Sequence, residues 1–169
     1  EGGYHTANVG KMHTWPFATP CGFDERYVVE NKDRFLEGAE FQDDWEKHLE
    51  EIGVEKQKRI LYRQRADYRE CLGAFSWDLP EENHSDAFTG NRAIQWINQY
   101  EGGQPFFLEV GFPGPHPPYD PPSRHLELYD DVEVPLAPVT DEDLTGQPPA
   151  YKAMRTHNVE IDHDSVVHQ

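Results

Sequence analysis

Apolar positions along this chain fall into short, separate groups, and the spacing inside each group predicts an element. The plainest lies between Ser85 and Tyr100 (SDAFTGNRAIQWINQY), where Ala93, Ile94 and Ile97 with Trp96 make an apolar side. Ser85 or Asp86 suits the N-cap and Gly102-Gly103 suits the stop, so the segment reads as a helix. It runs directly into Phe106-Phe107-Leu108-Glu109-Val110-Gly111-Phe112. Aromatic and β-branched content makes that run a buried strand, although periodicity alone does not separate so short a run from a helix. A helix, a two-glycine turn and a strand make half of an α/β crossover, which predicts a parallel or mixed sheet.

Other groups fill in the order. Asp43 to Ile52 places Trp45, Leu49 and Ile52 at i, i+4 and i+7 of a predicted amphipathic helix, with Gly53 as its stop. Gly3 to His13 fits an extended strand after a turn glycine, and Tyr27-Val28-Val29 fits another. If the alternation of Val9, Lys11 and His13 is strand-like, Lys11 and His13 point to the same side. Lys56 to Arg69 reads as a surface helix or loop rather than a basic patch. Ser123 to Tyr129 fits one or two helical turns, Asp130 to Pro138 is extended, Thr140 to Pro149 is an acidic loop, and Tyr151 onward allows a helix. The predicted fold class is α/β.

Composition narrows the functions. The 169 residues suffice for one domain with a core. Fifteen Lys and Arg against 32 Asp and Glu give a formal charge of −17, which opposes nucleic acid and anionic membrane as partners. A small anion held by two or three local cations stays compatible with it. No apolar run approaches the ~18 residues of a membrane helix. Cys21 and Cys71 read as two unrelated free thiols. The acids between Glu40 and Glu55 read as a solvated face. The sequence starts at Glu1 without an initiator Met and ends in mid-pattern, so residues 1–169 are expected to be an internal piece of a longer protein. Localisation is left undetermined.

Three groups have chemistry to offer. His116 stands between Pro115 and Pro117 just past the predicted strand end, where ligands collect in open α/β sheets; the alternative is a rigid surface turn. Lys11 and His13 make a plausible anion pocket; the alternative is an exposed Lys and a surface His. Lysine supplies fixed positive charge for an oxyanion, and histidine carries a proton at neutral pH. The tail sets Glu160, Asp164 and His168 at i, i+4, i+8 with Asp162 and His163 nearby, but the spacing matches no diagnostic metal motif, and no metal ligand is assigned. GxSxG, P-loop and GxGxxG patterns are missing. So is an activated nucleophile.

Two motifs together carry a resemblance. Gly3-Tyr4-His5-Thr6-Ala7-Asn8-Val9-Gly10-Lys11-Met12-His13 resembles the sulfatase signature G-Y-x-T-x-x-x-G-K-x-H. Pro105-Phe106-Phe107-Leu108 through Pro115-His116-Pro117-Pro118-Tyr119-Asp120-Pro121-Pro122 is similar to the segment PFFL…PHPPYDPP of the same family. The likeness implies that residues 1–169 are an internal portion of a single sulfatase catalytic domain, part of an alkaline-phosphatase-like α/β/α sandwich with a mostly parallel or mixed central sheet. It implies that Lys11 stabilises charge on the sulfate and the nucleophile, that His13 contacts a formylglycine hydroxyl, and that His116 touches the sulfate and serves the leaving oxygen. A small-molecule or carbohydrate sulfate ester is the implied partner, and calcium and formylglycine the implied cofactors. The family's C/S-x-P-x-R nucleophile motif and its calcium-binding acids lie outside this sequence, and Cys21, followed by Gly-Phe, is no substitute. The chain alone is therefore expected to be inactive and, with a split sheet, prone to self-association. A phosphate or phosphonate ester hydrolase of the same superfamily, and a non-catalytic binding lobe, remain as alternatives.

Overall fold

A parallel three-stranded sheet forms the centre of the structure. Its middle strand is β1 (His5–Gly10), flanked by β2 (Glu25–Val28) on one side and β3 (Phe106–Gly111) on the other. The computed structural model describes residues 2–30, 41–68, 70–71, 73–133, 135, 140–151 and 153. Ala7, Asn8, Val9 and Gly10 are buried in succession. Consecutive burial means that both faces of β1 are covered, as parallel strands require.

The first helix, α1 (Asp44–Glu51), begins where Asp43 Oδ1 accepts the Glu46 N–H at 2.7 Å and ends before Gly53, which takes φ 73°. It buries Trp45 and Leu49 against Val29 and Trp77, the main apolar cluster. Ile52, expected on the same stripe, is 48% exposed. The helix stops at Glu51, so the i+7 position falls on the C-cap and leaves the face. Asp43 also accepts from the Lys56 ammonium at 2.9 Å, both groups being buried. Between Lys56 and Arg69 lies α2 (Arg59–Arg63), a short helix that buries Tyr62 and leaves Ile60 and Leu61 at the surface.

The best-marked sequence segment is α3 (Ser85–Gln99). Its N-cap is His84, not Ser85 or Asp86: the His84 Nδ1 accepts the Asp86 N–H at 3.1 Å. Its buried residues are Ser85, Thr89, Ala93 and Trp96, whereas Ile94 is 59% exposed and Ile97 is also at the surface. The cause is close packing on β1. A Cβ at Gly10 would stand 3.0 Å from Thr89 Cγ2, so small side chains line the contact. Thr89 satisfies its hydroxyl on the Ser85 carbonyl at 2.9 Å.

The β3 segment is a strand, as predicted, but it is not buried. Phe107 is 54% exposed, and Phe106, Val110 and Phe112 are also at the surface. Within this sheet β3 is an edge strand, paired only to β1 among the described residues. Past it come α4 (Ser123–Leu126) and a 3₁₀ turn over Glu127–Tyr129, matching the predicted one or two turns, and another 3₁₀ turn over Asp141–Leu144. Glu160, Asp162, His163, Asp164 and His168 lie outside the described residues. Among the described residues no helix is long and apolar enough to cross a membrane.

Candidate active site

The site is built at the carboxyl ends of the strands, where an open parallel sheet leaves room for ligands. β1 and β3 run in register to their last residues, with Gly10 opposite Gly111. The Lys11 N–H donates to the Gly111 carbonyl at 2.8 Å. Both glycines are required by this approach. Gly10 has φ 111°, and a Cβ on it would stand 2.0 Å from the Gly111 oxygen; a Cβ on Gly111 would stand 2.5 Å from the Lys11 oxygen. The two backbones therefore part side by side, one carrying Lys11 and the other entering the proline loop.

His13 does not continue the strand. β1 ends at Gly10, and His13 takes the left-handed conformation, φ 59°, so the alternation expected for Lys11 and His13 has no strand to rest on. A non-glycine residue in that region costs about 1–2 kcal/mol, and Glu30 holds it there. The His13 N–H donates to Glu30 Oε1 at 2.9 Å, and His13 Nδ1 lies 3.4 Å from Glu30 Oε2. The Glu30 carboxylate is buried and lies against the edge of the His13 ring, which it orients. Glu30 itself follows β2, whose extension is marked by the Val29 N–H on the Gly10 carbonyl at 3.2 Å. All three strand ends thus contribute.

His116 sits between the cis peptide bonds Gly114–Pro115 and Pro117–Pro118. Its Nδ1 is 2.8 Å from the Pro117 carbonyl oxygen. A carbonyl only accepts, so Nδ1 carries the proton, and Nε2 is an acceptor in the neutral ring and a donor in the cation. The ring borders a cleft of about 540 Å³ that His84, Asp86, Tyr119, Asp120 and His125 help to line. Lys11 and His13 are not among the described residues lining it. The structure therefore sets His116 on the cleft and the Lys11–His13 pair at the neighbouring strand end.

The far side of the proline loop is anchored by Asp120. Its carboxylate accepts the Tyr62 hydroxyl on Oδ2 at 2.8 Å, and His84 Nε2 lies 3.6 Å from Oδ1. Burial, reinforced by the Asp120 charge, pushes the Tyr62 phenol far above its ordinary range, so it stays protonated and donating. The loop's backbone is paired as well: Tyr119 N–H to Gly73 O at 2.8 Å, Phe75 N–H to Tyr119 O at 2.7 Å, and Trp77 N–H to Pro121 O at 3.0 Å. On the rim Arg124 donates Nε–H to Glu81 Oε2 at 2.6 Å, and its hydrogen bonds hold the exposed Glu81 carboxyl below the usual range.

Glu30, His84, Asp86 and Asp120 were not among the site residues the sequence pointed to; Asp86 figured there only as a cap candidate and Asp120 only within the proline motif. A signal existed for Glu30, an acid directly after the Val28-Val29 run and hence at a predicted strand end. For Asp120 the motif marks the position but not the role, because its partners Tyr62 and His84 are distant in sequence. Cys21 and Cys71 are both free thiols, as expected. Among the described residues no group of three or more His, Cys, Asp or Glu could hold a metal ion.

Comparison with known proteins agrees with the two motifs. A sequence model of the sulfatase family matches residues 1–151. An arylsulfatase of Clostridium perfringens (strain 13 / Type A) is 28% identical over 141 residues, covering 80% of this chain and 29% of that protein. The uncharacterized sulfatase YidJ of Escherichia coli (strain K12) is 25% identical over 154 residues, 88% of this chain and 28% of that protein. The chain thus spans under a third of the length of these relatives. Its parallel sheet with flanking helices is the α/β arrangement of alkaline-phosphatase-like proteins, and with nine-tenths of its residues matched the chain belongs to the sulfatase family.

Proposed function

We propose that this chain supplies part of the active centre of a sulfuric ester hydrolase, acting on a small-molecule or carbohydrate sulfate ester. The observation that carries the reading is the in-register pairing of β1 with β3, which sends Lys11 and the His116 loop out of the same end of the sheet. In this reading Lys11 stabilises the negative charge that spreads over the sulfuryl oxygens in the transition state. His13, its Nδ1 facing Glu30, contacts the nucleophile. His116 binds the sulfate and, as the cation, gives its Nε2 proton to the leaving oxygen. Neutral His116 would then be left with its proton on Nδ1, where the Pro117 carbonyl accepts it.

Calcium and formylglycine are the groups the resemblance implies for a complete enzyme. The described residues fit neither: they hold no three-donor cluster, and neither cysteine stands in a C/S-x-P-x-R motif. The chain contributes pocket residues and is inactive on its own.

The test is turnover of matched sulfate and phosphate esters by the full-length protein containing this chain. Sulfate turnover is expected, reduced by about 10²–10³-fold in Lys11→Ala and in His116→Ala, with unfolding midpoints near that of the parent. Faster turnover of the phosphate ester would move the reading to phosphate or phosphonate esters. Unchanged rates in both variants would remove these residues from the site. Turnover by the 169-residue chain alone would refute its inactivity.

A further inference from the structure

The loop that carries His116 has little backbone with which to hold itself. Residues 113–122 include Pro113, Pro115, Pro117, Pro118, Pro121 and Pro122, so only Gly114, His116, Tyr119 and Asp120 offer an N–H. The Tyr119 N–H is taken by the Gly73 carbonyl. The Gly114 N–H, two residues before His116, donates to Asp86 Oδ1 at 3.0 Å. Asp86 comes so close that a Cβ on Gly114 would stand 2.4 Å from its Oδ2.

Asp86 is itself fixed. It lies in the first turn of α3, and its own N–H donates to the N-capping Nδ1 of His84. A ring nitrogen that accepts carries no proton, so neutral His84 is protonated on Nε2, the atom 3.6 Å from Asp120 Oδ1. The start of one helix therefore holds the loop at Gly114 through Asp86 and sets the His84 ring beside its other end, 3.6 Å from Asp120, whose other carboxylate oxygen accepts the Tyr62 hydroxyl.

We infer that Asp86, with His84, Asp120 and Tyr62 behind it, is a positioning residue that sets where His116 stands relative to the reacting sulfate ester; this rests on the proposed catalytic role of His116. Asp86 does its work as a hydrogen-bond acceptor on the Gly114 N–H, not as a charge. A misplacement of about 1 Å costs on the order of 10²-fold in rate; after His116 the Pro117 carbonyl accepts from Arg59 Nη2 only at 3.5 Å, whereas before it Asp86 takes the Gly114 N–H at 3.0 Å.

Three variants of the full-length protein test this: Asp86→Ala, Asp86→Asn and Tyr62→Phe. Each is measured for kcat and KM on a sulfate ester, for unfolding midpoint, and for hydrogen–deuterium exchange of the peptide containing Gly114. Asp86→Ala is expected to lower kcat by about 10–100-fold, to leave KM within about twofold, and to speed exchange at Gly114 by tenfold or more. Asp86→Asn, which keeps an acceptor oxygen, is expected to recover kcat to within about threefold. Tyr62→Phe is expected to lower kcat less than Asp86→Ala. Wild-type kcat and exchange in a folded Asp86→Ala protein would overturn the inference, as would an Asp86→Asn variant as impaired as Asp86→Ala. If the parent protein turns over no sulfate ester, the sulfatase reading fails, and the exchange arm still decides whether Asp86 holds the loop.

Discussion

Substituting Gly10 by alanine tests the strand-end geometry most directly. The new Cβ would meet the Gly111 oxygen at 2.0 Å, its carbonyl carbon at 2.8 Å and Thr89 Cγ2 at 3.0 Å. Two of these are backbone atoms and cannot swing away. Restoring an ordinary contact would require β1 and β3 to separate by roughly 1 Å, stretching the Lys11 N–H bond to Gly111, worth about 1 kcal/mol. Forcing alanine to φ 111° adds a cost on the order of 1–3 kcal/mol, and overpacking adds about as much again. The expected destabilisation is about 3–7 kcal/mol, a large share of the ~5–15 kcal/mol of a typical domain. Turnover should fall too, because Lys11 is the next residue.

Three other glycines separate the terms. Gly53 has φ 73° with nothing near its would-be Cβ, so Gly53→Ala isolates the conformational penalty at about 1–2 kcal/mol. Gly111 lies outside the left-handed region but would meet Lys11 backbone at 2.5 Å, so Gly111→Ala isolates overpacking at about 1–3 kcal/mol. Gly103 has open space and no such φ, and Gly103→Ala should be neutral or stabilise by up to about 1 kcal/mol through the unfolded chain. Denaturant unfolding followed by tryptophan fluorescence measures all four in the full-length protein. A Gly10→Ala cost no greater than that of Gly53→Ala would refute the claim that β1 and β3 are in backbone contact at the site.

Removing the buried partner of Asp43 by Lys56→Met should cost about 3–5 kcal/mol. Burial raises the Asp43 carboxyl pKa and Lys56 opposes that rise, so without the ammonium the folded state holds the proton to higher pH than the unfolded one. Stability then falls as pH rises across that window, and the variant's deficit should be smaller at about pH 5 than at about pH 8; a pH-independent deficit would count against it. At the other end of β1, the His5 hydrogen bond, then those of Trp96 and Tyr27, hold Glu25 below its ordinary value of 4.5. Its contribution is fully present above that value and lost as pH falls through the depressed one. With the Glu25 side chain 39% exposed, screening limits it to under about 1 kcal/mol. Glu25→Gln should remove that acid-side slope from urea unfolding curves while leaving the neutral-pH midpoint within that amount.

Local signals were legible, and contacts between distant segments were not. The helices over 44–51 and 85–99 and all three strands appear in the sequence because period and stop signals act within a few residues. The cap of α3 was misread because serine and aspartate are the usual caps, whereas His84 accepts the Asp86 N–H here. Burial was misread at Ile94, Ile97 and Phe107 for a different reason: which apolar side is covered depends on what packs there, and close contact with Gly10 selects Ser85, Thr89 and Ala93 instead.

The candidate site divides along the same line. Lys11, His13 and His116 could be named because two motifs mark them. The placing roles of Glu30, His84, Asp86 and Asp120 are written in no local pattern, because each acts across 17 to 58 positions of sequence. The division has a physical origin. A reacting group is restricted to the few side chains with the right charge and proton affinity, so its identity is informative by itself. A positioning group needs only an acceptor at the right point in space, which many residues can offer and only the fold can locate. Asp86 is the clearest case: in the chain it reads only as a cap candidate, yet its oxygen meets one of only four N–H groups in the His116 loop.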